Sequence, residues 1–295
     1  MSLNLNYRRV YQTLYRNEDL SPENQVRRHM LSESIYDAEG NLVEETLCND
    51  QGHPEQLTRN QYDGNKLAET SITDLLNNFT ELQRFTYNQQ GQPLETVMVF
   101  ADGSEMTTTY EYDEQGRVAK RRLIDEEEGT SQLRVYEYEG DFLVAVTETN
   151  QEGEVTEAFR YRYNDKGLRV ESITEAGEIP GKVSGEFDEQ GRLLVQRSYD
   201  AEGNLVARSS WEYAGQVVKE TSETIQGVIL VESEHDGEGR EIARKKSNKE
   251  GQILEQLNFA FHPDGRPDRT LGMQYDRSYD VVRFFSLDYE YESKA

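Results

Sequence analysis

The stretch TTTYEYDEQGRVAKRR, Thr107 to Arg122, decides the fold. In its first half Thr108, Tyr110 and Tyr112 alternate with Thr107, Thr109 and Glu111, the period of two that sends successive side chains to opposite faces of a strand. Asp113-Glu114-Gln115-Gly116 breaks the pattern, and an apolar position returns at Val118. An Asp at the head of such a break can accept bonds from the amides that follow it. Glycine takes the left-handed backbone that closes a short hairpin loop. The stretch reads as strand, turn, strand.

The phrase is repeated. It returns as EFDEQGRLLVQRS from Glu186 and as RYRYNDKGLRVES from Arg160. An aromatic or His anchor opens a turn at Tyr36, Tyr62, Tyr87, Tyr112, Tyr138, Tyr163, Phe187, Tyr213, His235 and Phe261, at gaps of 22 to 26 residues. Each anchor is followed by a glycine: Gly40, Gly64, Gly91, Gly116, Gly140, Gly167, Gly191, Gly215, Gly239 and Gly265. A second series lies between them: Gly52, Gly103, Gly129, Gly153, Gly177, Gly203, Gly227 and Gly251. Where the second series skips, between Gly64 and Gly91, Asn77 and Asn78 stand instead, and Asn also tolerates a left-handed backbone. Gly181, Gly185, Gly237 and Gly272 fit neither series.

A spacing of about 12 residues is one turn plus a strand of roughly eight, so a unit of about 25 residues is two antiparallel strands. The expected fold is all-β: about twenty antiparallel strands, built as tandem two-strand repeats into one coiled or spiralling sheet. Aromatic pairs two residues apart, such as Tyr110 with Tyr112 and Trp211 with Tyr213, put an aromatic face on that sheet. Tyr87, Tyr112, Tyr138, Tyr163, Phe187, Trp211 and Tyr213 define it. Equivalent strands lie about 9.6 Å apart, so aromatic columns are expected, with aliphatic residues of the intervening strands between them. The chain divides by pattern into an N-terminal cap over 1–30, hairpin repeats over 31–266 and closing strands over 267–295. Tyr7, Val10, Tyr11, Leu14 and Tyr15 fall at helical spacing, and Ser21-Pro22-Glu23-Asn24 reads as the start of a short helix, so the cap is expected to be part helical.

Composition bounds the function. Hydrophobic residues make up 35% and charged residues 30%, which predicts a thin core, while 18 Tyr and 10 Phe argue against disorder. The net charge of −25 opposes general nucleic-acid binding and contact with an anionic membrane, and it favours a basic protein partner. No stretch approaches the roughly 20 apolar residues of a membrane helix. With no leader in view the expected location is cytoplasmic, or surface and secreted if a leader has been removed. Cys48 is the sole cysteine, without a nucleophile motif around it. His29, His53, His235 and His262 form no catalytic or metal-binding pattern, and His235 stands at an anchor position. GEIPGKV from Gly177 misses the phosphate-loop spacing and has Val183 where a hydroxyl belongs. The basic clusters Arg117-Lys120-Arg121-Arg122 and Arg240-Arg244-Lys245-Lys246-Lys249 read as strand faces balancing nearby Glu. No catalytic residue, cofactor or metal is expected.

The fragments Tyr110-Glu-Tyr112-Asp113-Glu-Gln-Gly116-Arg117-Val118, Phe187-Asp188-Glu-Gln-Gly191-Arg192-Leu193 and Tyr199-Asp200-Ala-Glu-Gly203-Asn-Leu205 resemble the YD repeat of bacterial Rhs and related polymorphic-toxin proteins. The resemblance spans about residues 31 to 266. It implies hairpins laid side by side in a spiralling sheet, which in large Rhs proteins forms a hollow shell around a toxin. This chain is short for such a shell and lacks the self-cleaving segment that ends Rhs cores. Together these readings point to a non-enzymatic protein-binding repeat protein, in its sharpest form an immunity protein or a chaperone or adaptor for a secreted toxin or effector. A cell-surface or carbohydrate-binding β-repeat protein and a structural spacer are the alternatives.

Overall fold

The computed structural model describes residues 7–292 as 22 strands and one three-residue 3-10 helix, Pro22–Asn24. The strands belong to one sheet, and the pairings described, such as those of the first strand with the second and the last, are antiparallel. They run mostly seven to twelve residues, and successive strands are joined by short turns. The strand count slightly exceeds the expected twenty because both ends of the chain add strands.

To the expected coiled or spiralling sheet the structure adds the pairing of the first strand with the last. Tyr7–Tyr15 pairs with Gln25–Tyr36 on one side and with Val281–Glu292 on the other, in an unbroken register from Tyr7↔Glu292 to Tyr15↔Phe284. Both edges of the first strand are therefore paired, one with the second strand and one with the last. Pairing the terminal strands satisfies two rows of backbone donors and acceptors that would otherwise be exposed edges.

The helical spacing of Tyr7 to Tyr15 is overridden by the same pairing, while the short helix expected after Ser21 is present. Tyr7–Tyr15 also reads at a period of two, with Tyr7, Arg9, Tyr11, Thr13 and Tyr15 alternating with Arg8, Val10, Gln12 and Leu14. Aromatic and β-branched residues favour that choice once strands flank both sides. Among the described residues only Pro22–Asn24 is helical, with Pro22 in its first turn. Residues 1–6 of the expected cap and 293–295 of the expected closing strands lie outside the described residues.

By internal contacts the described chain falls into two units. One comprises 7–80, 213–220 and 228–292, the other 81–212 and 221–227.

Neither unit has a thick core. Among the described residues the buried apolar side chains are Ala145 and Val146 in the second unit and Leu254 in the first. The most deeply buried side chains are hydroxyls of the first unit. Ser34 accepts from Arg8 at 3.2 Å and donates to Glu45 at 3.1 Å, and Ser286 bridges Tyr15 and Asp288. Most strand residues are half-buried, as expected of a single layer of sheet without a second layer stacked on it.

Twelve turns of the described residues share one design, shown by Asp113 to Arg117. Asp113 donates its amide to the Arg117 carbonyl at 2.9 Å, and Gly116 donates back to the Asp113 carbonyl at 3.0 Å. The Asp113 carboxylate accepts from the amides of Gln115 and Arg117. Gly116 has φ +79°. Together these bonds make a type I turn closed by a left-handed residue, with the bulge that such loops place in the strand. The register shift falls between Glu111 and Tyr112, and an equivalent shift meets the anchors Tyr36, Tyr62, Tyr87, Tyr138, Tyr163, Phe187, His235 and Phe261. All 18 glycines of the two series have positive φ, Asn78 has φ +55°, and the four glycines outside the series do not share that backbone.

Gly181 is needed for a different reason. It opens the strand Gly181–Phe187, and a methyl group there would fall on the carbonyl oxygen of Tyr199 in the neighbouring strand. Backbone cannot yield as a flexible side chain does. Gly237 has open space around it and no left-handed φ. Gly181→Ala is expected to cost about 1–3 kcal/mol in urea denaturation, while Gly237→Ala stays within about 0.5 kcal/mol of the parent.

Candidate binding surfaces

Several anchor rings sit beside the turn of the preceding repeat, tied there by one or both of two contacts. The first is made by the phenol. Tyr62 donates to the Leu42 carbonyl at 3.0 Å, Tyr112 to Pro93 at 2.6 Å, Tyr138 to Val118 at 3.0 Å and Tyr163 to Leu143 at 2.9 Å. Tyr291 in the last strand does the same to Pro267 at 3.0 Å. Every acceptor is at or next to the start of the strand that leaves the preceding turn. At anchor His235, Nδ1 lies 3.3 Å from the Gln216 carbonyl.

The second contact is made by the side chain just after a turn. The Arg117 guanidinium lies 4.1 Å from the ring centroid of Tyr138, Arg240 5.0 Å from Phe261 and Arg266 4.4 Å from Tyr291. At the Gly140 turn Phe142 takes this place and meets Tyr163 with centroids 4.7 Å apart. Arg117 and Arg240 are held in turn by the turn carboxylates Asp113 and Asp236, each at 2.7 Å. This differs from the expected columns of rings with aliphatic filling. Anchors two strands apart are separated by about 9.6 Å, beyond the 4.5–7 Å range of ring pairs, so a long side chain from the turn bridges the gap. The Arg positions were visible in the sequence as the residue after Gly116, Gly191, Gly239 and Gly265, but alternation of apolar residues gives no signal for them.

Of the aromatic residues singled out by sequence, Tyr112, Tyr138 and Tyr163 carry these ties. Tyr87 is an anchor at a bulge, and Trp211 and Tyr213 are half-buried in the strand Leu205–Ala214. Phe187 has no hydroxyl. Beside it a cleft of about 480 Å³ opens in the second unit, lined by Leu168, Val170, Val183, Phe187 and Leu193, with Gly185 between them and Ser172 and Gln196 as polar neighbours. A β-carbon on Gly185 would stand 3.2 Å from the Phe187 ring and 3.3 Å from Leu193, so the absent side chain helps to make the hollow.

The basic cluster after Gly116 is absorbed within the sheet. Registers set Arg121, Arg134, Glu148 and Glu157 in one cross-strand row. Arg134 bonds Glu148 at 2.8 Å and also reaches Glu157, while Arg121 lies 3.6 Å from Glu148. Glu148 is only 6% exposed, so these partners offset its burial. Lys120 pairs with Glu111 and Arg244 with Glu241.

Among the described residues no three His, Cys, Asp or Glu are grouped to hold a metal ion. Burial, followed by the charges of Glu33 and Glu55, pushes the Cys48 thiol up, away from the thiolate form. His29 is 7% exposed, neither ring nitrogen has a hydrogen-bond partner, and burial followed by Arg27 lowers its pKa. It faces Gln12 across the strand pair and lies against Gly52. No helix of the described residues is long and apolar enough to cross a membrane, which says nothing about strands.

No protein-family model matches the chain, and no curated protein matches it. Solved structures similar to it include the crystal structure of TcdB2-TccC3-Cdc42, at 12% identity and TM-score 0.42, covering 84% of this chain and 16% of that one. Another is the Tc holotoxin pore of Photorhabdus luminescens, at 11% identity and TM-score 0.37, covering 85% and 18%. A third is a porin-like protein from Bacteroides uniformis, at 9% identity and TM-score 0.31, covering 99% and 98%. The chain spans about a sixth of the length of the two toxin-component chains. Likenesses at these values carry no functional inference.

Two outcomes follow from the turn chemistry. Tyr138→Phe removes one hydrogen bond and is expected to cost about 1 kcal/mol. A double-mutant cycle of Tyr138→Leu, which removes the ring, with Arg117→Ala should return a coupling of about 0.5–1 kcal/mol, read by urea denaturation. The second concerns acid. Burial pushes Asp113, Asp188 and Asp236 upward, but the amides and guanidinium groups of Arg117, Arg192 and Arg240 outweigh it and hold all three below the ordinary value of 3.8. A depressed carboxylate contributes stability above the unfolded pKa and loses it as pH falls through the folded one. The Asp113→Asn/Asp188→Asn/Asp236→Asn variant keeps the amide acceptor, as Asn88 and Asn164 do. Its stability should therefore fall less steeply than the parent's as pH drops below about 4.

Proposed function

We propose that the chain is a non-enzymatic protein-binding module for a basic partner, and that it serves as an immunity protein or as a chaperone or adaptor for a secreted toxin or effector. The observation that carries the reading is the disposition of charge. The chain has 57 acidic and 32 basic side chains, so one-to-one pairing leaves at least 25 carboxylates without a cationic partner. Many of the basic groups are engaged within the sheet, as Arg117, Arg134, Arg160, Arg197, Arg240 and Arg269 illustrate. The field left over is negative, which attracts a basic protein and repels nucleic acid.

A broad single-layer sheet supports recognition over a surface rather than chemistry in an enclosed pocket. The glycan-binding alternative needs aromatic rings free to stack on a ligand, whereas the rings of Tyr138, Tyr163 and Tyr291 are occupied by Arg117, Phe142 and Arg266.

The test is isolation of the protein from its native organism at 0.05 M and 0.5 M NaCl, with mass spectrometry of what accompanies it. One predominant basic protein at low salt, depleted at least about tenfold at high salt, is expected. Recovery of polysaccharide alone, or of a partner indifferent to salt, would overturn the reading.

A further inference from the structure

In a meander of antiparallel strands, alternate turns share one end of the strands. The two ends of the second unit differ in chemistry. At the end formed by the anchor turns, Arg117, Lys166 and Arg192 lie among Asp113, Glu114, Asp141, Asp165, Asp188 and Glu189, so cations and carboxylates are mixed there. The turns at the opposite end, 126–129, 150–154, 177–180, 200–204 and 225–226, contain Glu127, Glu152, Glu178 and Glu202 and no Lys or Arg. That acidic end also carries large apolar side chains in water. Ile179 and Ile225 at its turn tips are 82% and 94% exposed, and Val155, Leu205 and Val206 stand exposed where strands leave its turns. The Arg208–Glu223 pair and the Ser209–Ser222 hydrogen bond keep the tip bearing Ile225 beside that bearing Leu205.

We infer that this end of the second unit is the docking edge for a Lys- or Arg-rich amphipathic segment of a partner protein, its apolar side chains meeting Ile179, Leu205 and Ile225 and its cations meeting the surrounding carboxylates. The inference rests on the basic-partner reading above and assigns it a place. Exposed isoleucines have no role in holding the sheet together, and apolar groups ringed by one sign of charge match a partner with apolar groups ringed by the other. Spacing defines the form of the segment. Successive tips at one end are two strands apart, about 9.6 Å. Residues seven apart on a helix are about 10.5 Å apart, so one helix with an apolar residue at every seventh position meets successive tips. An anionic lipid surface is opposed by the same carboxylates.

The test uses a fluorescent 22-residue Lys-Ala helix bearing Leu at positions 1, 8, 15 and 22, with a control in which those Leu are Gln. Fluorescence anisotropy should show the Leu peptide binding the full chain at least tenfold more tightly than the control. The Ile179→Ser/Leu205→Ser/Ile225→Ser variant, with unchanged circular dichroism, should lose that tenfold, and Leu94→Ser at the opposite end should retain it. Equal binding of both peptides, unaffected by the triple substitution, overturns the docking edge while leaving an acidic, cation-binding surface. Failure of both peptides to bind at 0.05 M NaCl overturns the edge and the basic-partner reading together. Flotation of the parent, but not of the triple variant, with phosphatidylcholine vesicles overturns the proposal in favour of lipid.

Discussion

The contact on which the structure depends is the one between an anchor ring and the turn of the repeat before it. A phenol such as that of Tyr138 reaches over a neighbouring strand to the Val118 carbonyl, while Arg117 covers the ring and is itself held by Asp113. One turn thus supplies the carboxylate, the guanidinium and the acceptor, and the following repeat supplies the ring. No hairpin can complete this set alone. That dependence explains why the sequence repeats and why the unit is two strands long.

Such ties matter more here than they would in a layered domain. With Ala145, Val146 and Leu254 as the buried apolar side chains among the described residues, hydrophobic burial is spread thinly over half-exposed strands. Cohesion comes instead from backbone ladders, polar rows such as Arg121–Arg134–Glu148–Glu157, and buried hydroxyls such as Ser34 and Ser286. Pairing of the first strand with the last removes the edges at which another chain could add. The net charge of −25 carried by so much exposed sheet is the feature on which the proposed basic partner rests.

Local structure was legible in the sequence, because glycine placement encodes backbone conformation directly. The two glycine series coincide with the positive-φ glycines of the structure, and Asn78 occupies the left-handed region where the series lapses. Features set by distant residues were not legible. The terminal strands join Tyr7 to Glu292, a pairing no local pattern announces, and that pairing converts Tyr7–Tyr15, which satisfies helical and strand periodicities alike, into a strand. The role of Arg117 and Arg240 was hidden for another reason. A surface arginine after a turn looks solvated until the next repeat's ring is placed beside it. Ile179 and Ile225 likewise gain meaning only when the topology brings their turns to one end.

Residue-resolved amide hydrogen exchange tests most directly whether the turn-to-ring ties hold the sheet. If they do, protection along each strand rises toward the anchor-turn end, and the amides flanking Tyr112, Tyr138 and Tyr163 exchange most slowly. Protection centred on Ala145, Val146 and Leu254, falling away equally toward both ends of the strands, would show that a small apolar core holds the sheet and would contradict the account.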